Sequence, residues 1–546
     1  MRARIEQLGD GAVVPQRTYP PGADVGASTP RMTDKSPPST NPGAKDLRYS
    51  VADEKRDVAA RLADLQAADE DPAARAMDLA DVLRQAQQTA REYLSAEEDY
   101  VLAAIRLLIE RHRFELQPFA DVSTTYSEAH TSGKRAMTQR LLAEVGARQR
   151  LPFGGEVSAR WVWDASENLR SSATGRYVQA SRLVLDGSVP LLRGAGDVAE
   201  EGLIQAERDL VYAARDFEEF RRQFLVSVSR DYFALLQQLD GIDSLRRQVQ
   251  SLRDLEARQR SHYEAGRIPE FEVNIATSNV LNAQAGLANA RELFILSLDR
   301  FKVRLGLPSR EPVKIVAGEL QVPEPETTPD RATDVALELR LDLQNRRDRL
   351  EDSKRQVLVA KNQLLPDLNL SGNVTLPTKA GEREGGAVYE TDDASYGATA
   401  LFSLPLDRRA EKLQVRATQI ALERARRDYD RFRDGLILDV RAKVREIERA
   451  RLNLRLADER VKINLRRKEE QSLKPDEVDV QRKVDTENEL LDSERQRDRA
   501  KADLRNAVLD YLLATGQMRV RLDGTFEPLP GMEGAAGGAG GGGEPK

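Results

Sequence analysis

The sequence predicts a mainly α-helical, elongated protein with a small β part: two tandem repeats that form long coiled-coil α-hairpins and add strands to a transmembrane β-barrel closed by a homotrimer. Three observations lead there. Charged residues make up 32% of the chain and aromatics only 5%, the balance of long helices rather than of several compact cores. From residue 217 the apolar positions run Phe217, Phe220, Phe224, Val228, Tyr232, Leu235, Leu239, Ile242, Leu245, Val249 and Leu252, a spacing of about 3.5 that defines a coiled-coil seam. A second seam reads Tyr429, Phe432, Leu436, Val440, Val444, Ile447, Ala450, Leu454, Ala457 and Val461, and adding 212 to the first six positions of the first seam gives the first six of the second. Such an offset is the mark of an internal repeat.

Taken in order, residues 1–74 carry Pro15, Pro20, Pro21, Pro30, Pro37, Pro38 and Pro42 among Gly, Ser and Thr, too little apolar surface to offset the entropy of ordering, and read as a disordered arm. The first repeat, 75–307, opens with a leading helix at about 79–115. It stops at Leu116-Gln117-Pro118 and passes into an alternating strand through Ala120, Val122, Thr124 and Tyr126, since the residue before a proline leaves the helical region. Val157, Ala159, Trp161 and Trp163 share one face of an inserted strand, and a returning strand runs from Tyr177 to Val189 into Pro190. A helix of about 70 residues, roughly 105 Å long, follows, then a turn and a return helix at about 270–305. Stacked end to end, the leading and return helices match the long one. A Pro- and Glu-rich connector, 308–332, sits at mid-height. The second repeat, 333–517, starts with a helix to about 364, Leu364-Leu365-Pro366, a strand through Leu368, Leu370, Gly372 and Val374, and a returning strand through Tyr396, Ala398, Ala400, Phe402 and Leu404 into Pro405. Its hairpin then descends over about 407–470 and returns over 477–513. The segment 518–546 ends in a glycine-rich tail from Gly531, which has no packing capacity.

Composition excludes several function classes. With 84 Lys and Arg against 90 Asp and Glu, the net charge is −6, and no nucleic-acid partner follows from so even a balance. There is no cysteine, hence no disulfide, thiolate metal site or cysteine nucleophile. His112, His130 and His262 are the only histidines and lie far apart, which removes the usual parts of a zinc site or a general base. An enzyme is not expected, and no cofactor or metal. No run of about 18 apolar residues occurs to form a transmembrane helix. No apolar stretch of a secretory signal follows the two early arginines, so the ends by themselves suggest a soluble, cytosolic protein.

The strands say otherwise. Four principal strands per chain leave an open sheet with unpaired edges, which a bilayer does not tolerate, whereas three copies give twelve strands of the length a tilted barrel strand needs. Trp161 and Trp163, the only tryptophans, fit a membrane-interface girdle. The competing reading is a soluble sandwich with both rings in its core.

With these features assembled, residues 75 to 525 resemble the TolC-type outer-membrane efflux and secretion channels. Val189-Pro190-Leu191-Leu192-Arg193-Gly194-Ala195-Gly196 is similar to the family's strand-to-helix junction, with Val189 where Gln is usual. Leu339-Arg340-Leu341-Asp342-Leu343, followed by Leu365-Pro366-Asp367-Leu368-Asn369-Leu370, resembles the opening of its second repeat, with Leu341 in place of Pro. Tyr263, Gly266, Phe271, Glu272 and Val273 match its periplasmic hairpin turn, and in the second repeat Glu470 and Leu473 stand where Tyr and Gly are expected, ahead of Val478-Asp479-Val480.

That resemblance implies a homotrimer with a twelve-strand barrel in outer-membrane lipid on an α-helical periplasmic tunnel. The implied function is a passive exit duct of a tripartite efflux or type I secretion system, engaging a periplasmic adaptor (membrane fusion protein) and an inner-membrane transporter of the RND, ABC or MFS type. It implies that Asp479 and Glu272 lie at the periplasmic gate, where three-fold symmetry would converge them on one axis. Arg267, Ile268, Lys474 and Pro475 would be adaptor-facing tips, Tyr263 and Gly266 the hairpin turn. It also implies an export signal, so the present start lies downstream of the true one or the leader has been removed. A lipid anchor would need an N-terminal cysteine.

Two rivals remain. Gly194, Gly196 and Ala199 fit a relaxed dinucleotide fingerprint, but Pro190 and a 70-residue helix stand where a short crossover and a parallel strand are required. A soluble coiled-coil scaffold would explain the seams and leave the matched strands unexplained.

Overall fold

In the computed structural model, residues 74–131, 134–169, 178–316, 325, 328–379, 389, 391–473, 480–520 and 526–527 are described. The expected arm before Ala74 and the glycine-rich tail lie outside them, as does most of 317–327 in the connector. The described chain begins with β1 (Arg75–Met77), then α1 (Leu79–Thr89), capped by the Asp78 carboxylate accepting from the Asp81 amide at 2.8 Å. After the single extended residue Ala90 (φ −65, ψ 124) comes α2 (Arg91–His112). Four strands follow: β2 (Gln117–Thr131), β3 (Lys134–Arg150), β4 (Glu156–Leu169) and β5 (Val178–Pro190). The 64-residue α3 (Glu201–Glu264) and the 35-residue α4 (Glu270–Arg304) form the first hairpin. β6 (Val313–Ile315) pairs in parallel with β1.

The second half begins with α5 (Pro329–Leu339), capped by Thr328 with Pro329 in its first turn, and resumes after the extended Arg340 (φ −68, ψ 118) as α6 (Leu341–Asn362). β7 (Asp367–Pro377) and β8 (Ser395–Ser403) come next, then the 65-residue α7 (Arg409–Leu473) and the 35-residue α8 (Val480–Ala514). The short β9 (Arg519–Val520) and β10 (Phe526–Glu527) pair antiparallel.

The seams are buried as their spacing predicts. Phe224, Val228, Tyr232, Leu235, Ile242, Leu245, Val249 and Leu252 share one core with Leu436, Val440, Val444, Ile447 and Ala450, while Phe217, Phe220, Leu239, Tyr429, Phe432 and Leu454 pack partly buried against it. Tyr93, Tyr100, Phe217, Phe220 and Phe224 form an aromatic ladder where α2 meets α3, with ring centroids 5.7–6.0 Å apart.

Three expectations need correction. Each leading helix is broken rather than continuous, and the cause lies in the return helices. The chain turns at Gly306 (φ 78) beyond α4 and at Gly516 (φ 72) beyond α8. A β-carbon on Gly306 would stand 2.1 Å from the Thr89 carbonyl oxygen, and one on Gly516 3.0 Å from that of Leu339. Thr89 Oγ1 donates to the Leu305 carbonyl at 2.5 Å, and Arg340 Nη1 to the Ala514 carbonyl at 3.1 Å. Orphan carbonyls at a helix C-terminus thus find donors in the break. The second correction concerns α3, which starts at Glu201 rather than just after Pro190. Gly194 (φ 80) and Gly196 (φ 72) take left-handed backbone, and the Gly194 amide donates to Asn362 Oδ1 at 2.8 Å.

The third is the strand count. The main sheet has six strands, not four, in the order β2-β3-β4-β5-β7-β8, antiparallel throughout. Beyond the four principal strands, β4 is the inserted strand expected through Val157 and Trp163, and β3 is the one not foreseen; the turn between them needs Gly154 (φ 99) and Gly155 (φ 90). A β-carbon on Gly155 would meet the Ser188 carbonyl oxygen at 2.0 Å.

Candidate functional site

Cross-strand pairing sorts the sheet into two unlike faces. One row of partners runs Ala120, Val145, Trp161, Leu183 and Leu376, and a neighbouring row runs Pro118, Ala147, Ala159, Leu185, Val374 and Tyr396. Because side chains alternate along a strand, these rows and every second residue beyond them make one apolar face across all six strands. Many of its large members are open to solvent: Val122 is 75% exposed, Tyr126 59%, Phe402 59%. Trp161 and Trp163 lie on this face in β4, opposite Val145 and Ala143 on one side and Leu183 and Ser181 on the other. At Gln139, paired with Glu167, the apolar alternation ends.

The opposite face is polar and ion-paired. Arg140 bonds Asp164, and Arg160 reaches Glu144 at 3.3 Å and Asp186 at 3.1 Å. These pairs went unread in the sequence, because β3 itself did.

At the far end of α3 the helix closes in a Schellman turn. The Arg267 amide donates to the His262 carbonyl at 2.9 Å, the Gly266 amide to that of Tyr263 at 2.8 Å, and Gly266 has φ 71. Glycine is needed there for its backbone, not its size. Tyr263 and Arg267 are exposed and Ile268 half-buried; Pro269 starts α4 from its N-cap position, and the half-buried Glu272 lies in the first turn. Lys474, Pro475 and Asp479, expected as the second hairpin's members of the tip and gate, lie outside the described residues. The hairpins meet through Gln248 to Asn488 at 2.7 Å and Ser251 to Glu487 at 3.0 Å.

A second polar cluster, not foreseen from the sequence, ties α3 to α6 on the strand side of the helices. The buried Tyr212 hydroxyl donates to Asp352 at 2.5 Å. Arg355 bonds Asp352 at 2.7 Å and Glu201 at 3.2 Å, and Arg215 bonds Asp348 at 2.6 Å. Burial, reinforced by the Asp352 carboxylate, pushes the Tyr212 phenol up to about 12. A raised folded value contributes stability that is complete below the unfolded phenol pKa, roughly 10, and is lost as pH climbs through the folded one. Tyr212→Phe should therefore cost about 1–2 kcal/mol near neutrality, and its unfolding midpoint should fall less steeply than wild type above pH 10. Urea titrations at pH 7 and pH 11 measure both effects.

Among the described residues, no cluster of His, Cys, Asp and Glu could hold a metal ion, and no helix is long and apolar enough to cross a membrane.

No protein-family model matches the chain. No curated protein matches it by sequence. Solved structures do match. The outer membrane channel CmeC of Campylobacter jejuni, 14% identical, superposes with a TM-score of 0.60 over 89% of this chain and 94% of that one. The outer membrane protein VceC of Vibrio cholerae, also 14% identical, gives 0.58 over 82% and 97%. The open-state MtrE outer membrane channel of Neisseria gonorrhoeae, 12% identical, gives 0.58 over 80% and 88%. The chain thus shares the fold of these outer-membrane channels, built from helical hairpins and strands. It is the fold that the TolC-type resemblance implies.

Proposed function

We propose that the chain is the outer-membrane exit duct of a tripartite efflux or type I secretion system. In this reading it passively carries substrates delivered by a periplasmic adaptor and an inner-membrane transporter. The observation that carries this reading is the sheet: one continuous, exposed apolar face suits lipid, the other is polar and ion-paired, and the whole stands on paired helices of about 96 Å (α3) at 1.5 Å per residue.

Two features support assembly with further copies of the chain, which this reading takes to be a homotrimer. Six strands fall short of the eight found in the smallest transmembrane barrels, and in the described residues the outer edges of β2 and β8 have no strand beside them. The helices also carry apolar residues unused in the subunit core. Leu413, Ile420, Leu438, Leu452, Leu456 and Ile463 of α7 are exposed, and at about 100° per residue they line one stripe opposite the buried seam.

The matching breaks at Ala90 and Arg340 and the near-equal hairpins support two repeats, 75–307 and 333–517, joined by the connector 308–332. Trp161 and Trp163 serve as the interfacial girdle, the turn at Tyr263 and Gly266 with Arg267, Ile268, Lys474 and Pro475 faces the adaptor, and Glu272 and Asp479 form the acidic gate.

Reconstituted protein should insert into planar bilayers and conduct. Glu272→Gln combined with Asp479→Asn should lower cation selectivity and divalent block, since rings of carboxylates concentrate cations. Wild-type selectivity in the double variant would remove the gate assignment alone. A protein that extracts without detergent and forms no channel would be a coiled-coil scaffold instead.

A further inference from the structure

We infer that three copies of this chain close an eighteen-stranded barrel, giving an outlet about one and a half times as wide as twelve strands would give at the same tilt. The inference rests on the duct reading and specifies how its outlet is built.

The β3–β4 hairpin is a continuous part of the wall. It pairs along most of its length on both sides, from Gln117–Arg148 to Thr131–Lys134 against β2, and from Glu156–Ser188 to Ser166–Val178 against β5. Its apolar residues Leu141, Ala143, Val145, Ala147, Val157, Ala159, Trp161 and Trp163 lie on the face shared with Ala120, Val122, Leu183 and Leu185, and its ion pairs on the other. A hairpin folded into the lumen or standing above the membrane would not need that division.

Register supplies the geometry. Partners starting at Gln117 pass through Arg148, Ser158, Asp186, Asn373 and Gly397, and β8 continues to Ser403. The sheet therefore drifts by about 20 Å along the strands over a width of about 24 Å, a tilt of roughly 40°, within the range of closed barrels. At that tilt eighteen strands have a circumference of about 110 Å and twelve about 75 Å. The two hairpins with their leading helices give four helical columns per chain, twelve in a trimer, and columns 8–10 Å apart enclose roughly 100–120 Å. The larger barrel continues the bore of the helices; the smaller would narrow it abruptly.

The occupant of each open edge is another copy of this chain, β8 of one against β2 of the next. The lumenal face carries charges of both signs, with Arg140, Arg160 and Arg182 near Glu144, Asp164 and Asp186, so the outlet suits hydrated cargo without strong charge preference.

Electron microscopy of the full-length protein in lipid nanodiscs, with native mass spectrometry, tests this directly. The expected result is three chains and eighteen wall strands. Excision of residues 134–169 brings Ala120 beside Leu183 with face parity intact. It should leave a trimer whose barrel has twelve strands and about two-thirds the diameter. Three chains with twelve strands and the hairpin outside the wall would overturn the inference and leave the duct standing, as would two chains closing twelve strands together. A monodisperse monomer would overturn the duct reading itself. If the excised variant fails to assemble, the wild-type strand count decides alone.

Discussion

Gly306→Ala should lose roughly 3–5 kcal/mol of stability, among the largest losses expected from adding one methyl group to this chain. The residue sits at φ 78, and the new β-carbon would lie 2.1 Å from the Thr89 carbonyl oxygen and 2.7 Å from its carbonyl carbon. Both are backbone atoms, so no rotamer change relieves the clash, and the left-handed conformation adds about 1–2 kcal/mol. Gly516→Ala meets the Leu339 oxygen at 3.0 Å and Gly266→Ala nothing within 4 Å, although both have positive φ. The three variants should therefore rank Gly306, Gly516, Gly266 in decreasing loss. Chemical unfolding in detergent followed by circular dichroism reads the order, and equal losses would mean that left-handed backbone alone matters and the joint does not.

Combined Leu438→Glu, Leu452→Glu and Leu456→Glu should convert the proposed trimer to dispersed chains while leaving helicity unchanged. These residues are 67%, 56% and 54% exposed in the single chain, so they contribute little to its core, yet an assembled wall would bury them. Three carboxylates per chain stripped of water there cost several kcal/mol each unless paired. Val440→Glu on the opposite face, where Val440 is fully buried, should instead unfold the hairpin. Native mass spectrometry with circular dichroism separates the two outcomes; a triple variant that stays trimeric would place the subunit contact on another face.

The helical body was legible because its signal is periodic and redundant. Each seam residue is buried against its neighbours one turn away, so burial repeats every three to four positions, and a long window averages out exceptions such as Ser244. The strand β3 was not legible. Leu141 and Leu142 are adjacent, which blurs the alternation, and Arg140, Glu144, Arg148 and Arg150 fill its polar face with long charged side chains more usual on an exposed helix. The breaks at Ala90 and Arg340 had no local marker either: alanine and arginine are good helix formers, and the residues that impose the breaks, Gly306 and Gly516, lie more than 170 positions away. The Tyr263–Gly266 turn was legible because a helix that ends in a left-handed residue advertises it with glycine.

The hairpin between β2 and β5 limits how such a wall could change calibre over generations. One added strand would reverse the direction in which the chain re-enters its helices. Two added strands do not: β5 still leads into Pro190, with Leu183 and Leu185 on the face of Ala120. In the proposed trimer, gauge would therefore move only in jumps of six strands, with no width in between.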